Sequence, residues 1–389
     1  MAGVVFYVLA LPIVGTVRPQ LFGLLGMSLT LLAWSLTDRG RRHPLFWFPL
    51  VMILWVNLHG SFVMGLAVLA AATVGQMWDV GRRCGNIPAA WRAPSVRRLR
   101  MLLMLSAAAT LLNPAGPALW WNALLFGQSA NLADISEWGP TTLRSLTGVL
   151  LFGSLAITAL LLRQSRRPVR AAEVLLVLAL AAATLLAIRM LCWWAIVWVY
   201  LAAPHVAAVV KRWRTAGDTA LSEPTLSDPP TAMRTMIAMA IVFLVLVWAP
   251  PTHELISGQR RSEALVTAGD TPQFVAEEIQ TRGLTGRVFA PIQWADYLAW
   301  HTNNAIRPLV YSHVHLFSPA TWHDYQAIAS DSPDLEQIVD RHGLRYFVLP
   351  RPMAAILGES LGRNKRFRTI YQDQQAVLVE VKPAAKPAL

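Results

Sequence analysis

The chain has 389 residues, 55% hydrophobic and only 14% charged, against about 25% charged in a typical soluble domain, which argues against an ordinary water-soluble enzyme. The net charge is +12, yet from Pro251 onward 14 basic residues are matched by 14 acidic ones; the other 20 basic and 8 acidic residues lie among apolar runs, which argues against nucleic acid as a partner. The two cysteines, Cys84 and Cys192, fall near opposite faces of the predicted membrane domain, so no internal disulfide is expected.

Apolar stretches of spanning or near-spanning length occur at about 2–17, 20–37, 44–58, 61–80, 99–113, 145–162, 171–188, 190–210 and 233–249. They predict nine transmembrane helices; those at 44–58 and 99–113 fall short of the roughly 20 residues a perpendicular helix needs, so eight and ten are the neighbouring counts. The N-terminal run lacks the basic n-region of a cleavable signal peptide and reads as a membrane segment. Alternate loops hold 17 of the 20 basic residues of this half, the other set only Arg18, Arg144 and Arg189. Because Lys and Arg are retained on the cytoplasmic side, this asymmetry predicts a cytoplasmic N-terminus and an extracytoplasmic C-terminal domain.

The predicted organisation is a multi-span domain over 1–250, with a polar, Pro-rich cytoplasmic linker at 215–232, followed by a soluble α/β domain over 251–389. In that second domain, strand-like runs at Arg287–Ile292, Pro308–Ser312 and Arg345–Leu349 alternate with helical patterns at Pro272–Arg282, Trp294–His301, Asp334–His342 and Met353–Leu361. The pair Arg368–Tyr371 and Ala376–Val381 reads as a hairpin turning at Asp373-Gln374-Gln375.

The unusual residues gather in the loops predicted to lie outside. Arg18 and Arg189 offer forked donors suited to a phosphate or pyrophosphate; arginines that snorkel to lipid headgroups are the competing reading. Asn57 and His59 flank a turn at Gly60, where His59 either bonds a substrate hydroxyl, relays a proton or caps a helix end. Asn113 closes a span in Asn113-Pro114-Ala115-Gly116-Pro117, and the run Leu119–Phe126 reads as an interfacial helix whose tryptophans form a headgroup belt. Asp134 and Glu137 are the only carboxylates in these loops, and Glu137, between Ser136 and Trp138, is the better candidate for a general base. His313, His315 and the pair His323-Asp324 raise a metal reading, but no HExxH or CxxC pattern accompanies them and no metal or other cofactor is assigned. A secondary transporter ranks last, because no Asp, Glu, Lys or Arg is centred in a span.

Taken together, RPQLFGLL, WVNLHGSFVMGL, LLNPAGPALW, ISEWGP and the Arg189-centred LAIRMLCWW resemble bacterial polytopic proteins of the GT-C glycosyltransferase type. The runs GRVFAPIQWADYLAW, RPLVYSHVHLF and GLRYFVLPRP resemble the extracytoplasmic domain of that group. The resemblance implies a GT-C-like helical membrane protein of the bacterial inner membrane, taking a sugar from a polyprenyl-phosphate-linked donor at the outer face. It also implies that Arg18 and Arg189 face the lipid phosphate while Asn57, His59 and Glu137 line the cavity. Two departures stand out: the first outer loop, about Val17 to Gln20, has no acid where these enzymes carry their catalytic carboxylate, and Ser312-His313-Val314 stands where relatives end a strand in Asp-x-Arg. The chain therefore reads as lacking an N-terminal part with that loop, and the alternative to an enzyme is a non-catalytic protein that binds lipid-linked glycan or scaffolds envelope assembly.

Overall fold

A computed structural model describes residues 8–9, 19–217 and 268–382, with isolated positions between 236 and 259. The chain divides into two compact units, Met1–Leu221 and Ser222–Leu389. The expected spans at 2–17 and 233–249, and Arg18, lie outside the described residues apart from isolated positions.

The first unit is helical, with α1 (Gln20–Asp38), α2 (Pro44–Leu58), α3 (Phe62–Cys84), α4 (Ile87–Arg92), α5 (Pro94–Ala109), α6 (Ala118–Leu125), α7 (Leu146–Gln164), α8 (Ala171–Leu186) and α9 (Leu191–Gly217). Local chemistry sets their ends. Pro44 opens α2 at a position where a missing N–H costs nothing, and Gly85 at φ 65° terminates α3 in the left-handed conformation. Asn86 and Ser145 cap α4 and α7 by accepting from Ala89 N and Gly148 N, both at 3.1 Å. The N-terminus of α8 is covered by two carboxylates: Glu173 accepts from Arg170 N at 3.2 Å and Asp79, reaching across from α3, accepts from Ala171 N at 3.2 Å.

Among the described residues, four helical runs are long and apolar enough to cross a membrane: α1, α3, α7 and Ile188–Trp213, which joins a 3-10 turn at Ile188–Met190 to most of α9. The helices at 44–58 and 171–186 are apolar but shorter. The expected span at 99–113 falls on α5, which begins earlier, at Pro94, and includes Arg97, Arg98 and Arg100. The outward faces are themselves apolar, with Leu25, Phe46, Leu54 and Leu178 between 59% and 75% exposed. Exposed apolar surface on this scale calls for lipid rather than water, and it marks the unit as membrane-associated.

Inside, Met27, Phe48, Met52, Phe62, Leu69, Leu191 and Trp194 are fully or almost fully buried. Two close approaches require glycine. A Cβ at Gly75 would meet the backbone of Ala172, 2.5 Å from its Cα, so α3 and α8 touch main chain to main chain; Gly26 and Gly65 flank the indole of Trp55, which wedges α2 between α1 and α3.

The second unit is a five-stranded mixed sheet with helices. Its elements are α10 (Gln273–Thr281), β1 (Gly286–Phe289), α11 (Ile292–His301), β2 (Ile306–Pro308), α12 (Pro319–Ala329), α13 (Leu335–His342), β3 (Leu344–Pro350), α14 (Arg351–Arg363), β4 (Phe367–Gln372) and β5 (Ala376–Val381). The order is β2-β1-β3-β5-β4. β1 runs parallel to β2 and β3, while β5 pairs antiparallel with both β3 and β4. The turn of the β4–β5 hairpin closes on Asp373, whose Oδ1 accepts from Gln375 N and Ala376 N at 2.7 Å each.

Two elements differ from the sequence reading. The expected strand Pro308–Ser312 is displaced: β2 begins at Ile306 and ends at Pro308, and the chain then bends through Tyr311 into a 3-10 turn at Val314–Leu316. The helix α12 was not expected; Ser318 caps it by accepting from Thr321 N at 3.1 Å, Pro319 occupies its first turn, and Trp322, Tyr325 and Ile328 form its buried stripe.

Candidate functional site

At one end of the helical unit, the start of α1, the α2–α3 turn, the loop carrying Glu137 and the start of α9 come together. Gln20, the first residue of α1, is 4% exposed and donates Nε2–H to Cys192 Sγ at 3.0 Å. The Cys192 thiol in turn donates to the carbonyl of Arg189 at 3.3 Å. That leaves Gln20 Oε1 buried with no hydrogen-bond partner among the described residues, and a buried carbonyl of this kind costs stability unless a donor reaches it.

Near the same turn of α1 sits His59, which ends α2 in an extended conformation and whose Nδ1 would lie 3.5 Å from a Cβ at Gly23, three residues beyond Gln20. Its Nδ1 lies 2.6 Å from Ser61 Oγ and accepts from Ser61 N at 3.1 Å. Ser61 Oγ meanwhile accepts from Trp55 Nε1 at 3.1 Å, so its own proton is free to go to His59 Nδ1. These bonds assign the Nε2–H tautomer to a neutral imidazole. Burial, then the nearby Arg189 charge, holds its pKa below the usual histidine value. His59 thus presents a hydrogen-bond donor at neutral pH rather than a free base. The first turn of α1 is pressed onto this group: a Cβ at Gly23 would collide with Ser61 Oγ and lie 2.7 Å from the Trp193 ring.

Arg189 is the middle residue of the 3-10 turn Ile188–Met190, half-buried, with its guanidinium carbon 5.3 Å above the Trp138 ring. Trp138 and Glu137 belong to a second 3-10 turn, Ser136–Trp138. That loop is stitched to the end of α8 by Ile188 N donating to Gly139 O and Thr141 N to Leu185 O, both at 3.0 Å. Glu137, half-buried, therefore sits in the turn that faces the Arg189 turn, while Asp134, earlier in the same loop, is exposed.

Asn57 and Asn113 are engaged with backbone. Asn57 Nδ2 donates to Ile53 O at 2.8 Å and Leu112 O at 3.0 Å, tying the end of α2 to the segment after α5. Asn113 Nδ2 donates to Thr110 O and Gly116 O at 2.8 and 3.1 Å, and its Oδ1 accepts from Ala115 N at 2.9 Å, which builds the turn before α6. Helix α6 carries exposed Trp121 and Leu124, 65% and 61% accessible. Arg18, two residues before Gln20, is outside the described residues. The sequence reading missed Ser61, Cys192, Trp193 and Trp55 and passed over Gln20; of these only Ser61, two residues beyond His59, carried a local signal.

In the second unit, Asp324 holds helices together. Its Oδ1 and Oδ2 accept from Arg341 Nη1 at 2.9 and 2.8 Å, and Oδ2 pairs with His342 Nε2 at 2.7 Å, joining α12 to α13. Burial opposes its charge, but these bonds from His342 and Arg341 hold its pKa below the usual carboxylate value. His323 beside it is exposed. The rings of His313 and His315 are 6.0 Å apart, and among the described residues no group of three His, Cys, Asp or Glu side chains is placed to hold a metal ion. Both histidines follow β2, at the carboxyl ends of the parallel strands, where open α/β sheets gather ligands; Ser312 N there donates to Asp296 Oδ2 at 3.3 Å.

The helical unit thus offers one guanidinium, one imidazole N–H and one buried unpartnered amide carbonyl at a single helix-end junction, with an indole against the guanidinium and a carboxylate in the facing turn. No protein-family model matches the sequence, and no curated protein matches it.

Proposed function

We propose that this chain is a GT-C-like polytopic membrane protein that binds a polyprenyl-phosphate-linked sugar and transfers the sugar to an acceptor. In this reading the nine apolar stretches are all spans, the N-terminus lies in the cytoplasm, and the junction of Arg189, His59 and Gln20 faces the outside of a bacterial inner membrane. The observation that carries it is the pairing of Arg189 with a neutral, donor-tautomer His59 at the same junction as the buried Gln20 carbonyl. Guanidinium and imidazole N–H suit two oxygens of a phosphate, and the unpartnered carbonyl suits a sugar hydroxyl as its donor. Arg18 joins the phosphate contacts, and Glu137 is the base that takes the acceptor proton. Asn57 and Asn113 shape the entrance through the backbone they hold.

A second reading, a non-catalytic binder of lipid-linked glycan, is favoured by two observations. The His59 tautomer supplies a donor and not a base, and the stretch from Val17 to Gln20 has no carboxylate. One experiment separates the two. A radiolabelled polyprenyl-phosphate sugar is incubated with wild type and with Glu137→Gln in the presence of heat-treated bacterial envelope extract as the source of acceptor hydroxyls, and both retained donor and released carrier phosphate are measured. The enzyme reading predicts turnover in wild type that Glu137→Gln lowers by about 100-fold or more, within the usual weight of a general base, with donor retention unchanged. Retention without turnover in wild type establishes the binding reading. Equal turnover in both proteins removes Glu137 from the chemistry.

A further inference from the structure

The opposite end of the helical unit holds a constellation that the proposed transfer does not use. Between α7, α8 and α9 lies a cavity of about 160 Å³, walled by Leu161, Val174, Leu178, Trp198 and Leu201, with Glu173 and His205 among its lining. Cys192 and His205 are 13 residues apart on α9, about 20 Å along a helix, so this cavity is well removed from the Arg189 junction.

Its polar lining is already engaged. Glu173 and His205 are 7% and 3% exposed, and their Oε2 and Nε2 are 3.2 Å apart. His205 Nδ1 lies 3.0 Å from Ser165 Oγ, and Glu173 Oε1 pairs with Arg167 at 3.0 Å. What remains available is hydrocarbon, and it opens on the outward apolar face of the helices, where Val174 is 45% and Leu178 65% exposed.

The last turn of α7 and the connection to α8, whose Leu162 and Val169 also line the cavity, carry four arginines, Arg163, Arg166, Arg167 and Arg170. Two are committed: Arg167 to Glu173, and Arg170 to Asp38 at 2.7 Å. Arg163 and Arg166 are exposed and have no ion pair or hydrogen bond among the described residues. Two guanidiniums uncommitted among the described residues, one in the last turn of α7 and one on the loop that follows, therefore border an apolar slot open to the lipid side.

We propose that this slot binds one anionic diacyl phospholipid, with an acyl chain against Trp198 and the headgroup phosphate held by Arg163 and Arg166. Lipid tails are as apolar as the slot, so the chain contact sets position while the headgroup sets affinity. Selection falls on net anionic headgroups, because basic pockets between spans recruit them by charge. The site is independent of the transfer reaction and stands or falls without it.

The test uses the full chain in a neutral detergent, titrated with phosphatidylglycerol or phosphatidylcholine brominated on the acyl chains. The readout is quenching of the Trp198 fluorescence, taken as the difference between wild type and Trp198→Phe. The expected result is saturable quenching by both lipids, with phosphatidylglycerol reaching half-saturation at least about tenfold lower, from roughly fivefold per arginine. The double variant Arg163→Gln/Arg166→Gln brings phosphatidylglycerol to the phosphatidylcholine curve and leaves maximal quenching unchanged. Ala202→Phe, which fills the slot, abolishes Trp198 quenching by both lipids. Equal half-saturation for the two lipids in wild type, a charge preference retained in the double variant, or absence of Trp198 quenching each overturns the proposal. If a variant aggregates, the wild-type comparison of the two lipids decides alone.

Discussion

Replacing Gly26 by alanine tests the packing that brings the site together. Trp55 is 2% exposed and lies between α1 and α3. A Cβ at Gly26 would overlap the ring at Cδ2 and lie 2.5 Å from Cε3, and one at Gly65 would lie 2.6 Å from Cζ3. Carbon atoms pack at about 3.5–4.0 Å, so the indole must move by about 1 Å, although its Nε1–H is held by Ser61 Oγ at 3.1 Å. Overpacking a filled core costs about 1–3 kcal/mol, whereas alanine in place of glycine inside a helix contributes about 0.8–1.0 kcal/mol in its favour. Gly153 on α7 has nothing within 4 Å of its would-be Cβ, so Gly153→Ala reports the helix term alone. The gap between the two variants isolates the clash at about 1–3 kcal/mol, or about 2–12 °C in Tm for a unit of this size. A thiol-reactive fluorophore follows unfolding in detergent: with exposed Cys84 changed to serine, the only thiol is the buried Cys192. Gly26→Ala should melt below Gly153→Ala, and the gap should narrow in a Trp55→Phe background. Gly26→Ala melting at or above Gly153→Ala would refute the wedge.

Other expectations follow from the same contacts. Gly75→Ala presses a methyl against the Ala172 backbone rather than a side chain, so it should lower Tm more than Gly26→Ala in the same assay. Arg189→Gln removes the like charge that helps depress His59; its imidazole pKa, read by NMR of labelled histidine, should rise toward 6.5, and an unchanged value would separate the two groups. Because the His59 pKa is lowered on folding, the native state binds that proton less readily than the unfolded chain, so stability should fall as pH drops below about 6.5. The sign for Asp324 is the same for a different reason. Its lowered pKa gives stability that is full above the ordinary carboxylate value of 3.8 and lost as pH falls through the folded value. Asp324→Asn should cost about 1–3 kcal/mol at neutral pH, seen as faster hydrogen exchange in α12 and α13 of the full chain.

The parts legible in the sequence are those with local causes. The apolar runs located helices on every described stretch where a span was expected, and the alternation near the C-terminus located β1, β3 and the β4–β5 hairpin. Pro308 misled: it was read as the start of a strand, yet it ends β2, because the pairing with β1 begins at Ile306 and the chain leaves the sheet two residues later. The missed helix α12 had a readable signal in Ser318-Pro319, a capping side chain followed by a first-turn proline. For the site, the unusual residues Arg189, His59 and Glu137 could be picked from the loops, since ionisable groups near membrane segments are costly. Their partners could not. Gln20 and Cys192 are 172 residues apart, and no periodicity reports such a contact. Asn57 and Asn113 stood out equally in sequence, but their amides are engaged with backbone carbonyls, those of Asn113 within three residues in its own turn and one of those of Asn57 across to Leu112.

The most direct test of the account is equilibrium binding of a polyprenyl monophosphate to the detergent-solubilised chain, with the uncharged polyprenol as control, in wild type and Arg189→Gln. A charge-assisted bond to phosphate contributes about 1.5–3 kcal/mol, so the account predicts saturable binding of the phosphate, weakened about 10- to 100-fold in the variant, and no difference between the proteins toward polyprenol. Equal affinity of both proteins for the phosphate, or the same affinity of wild type for phosphate and polyprenol, would contradict it.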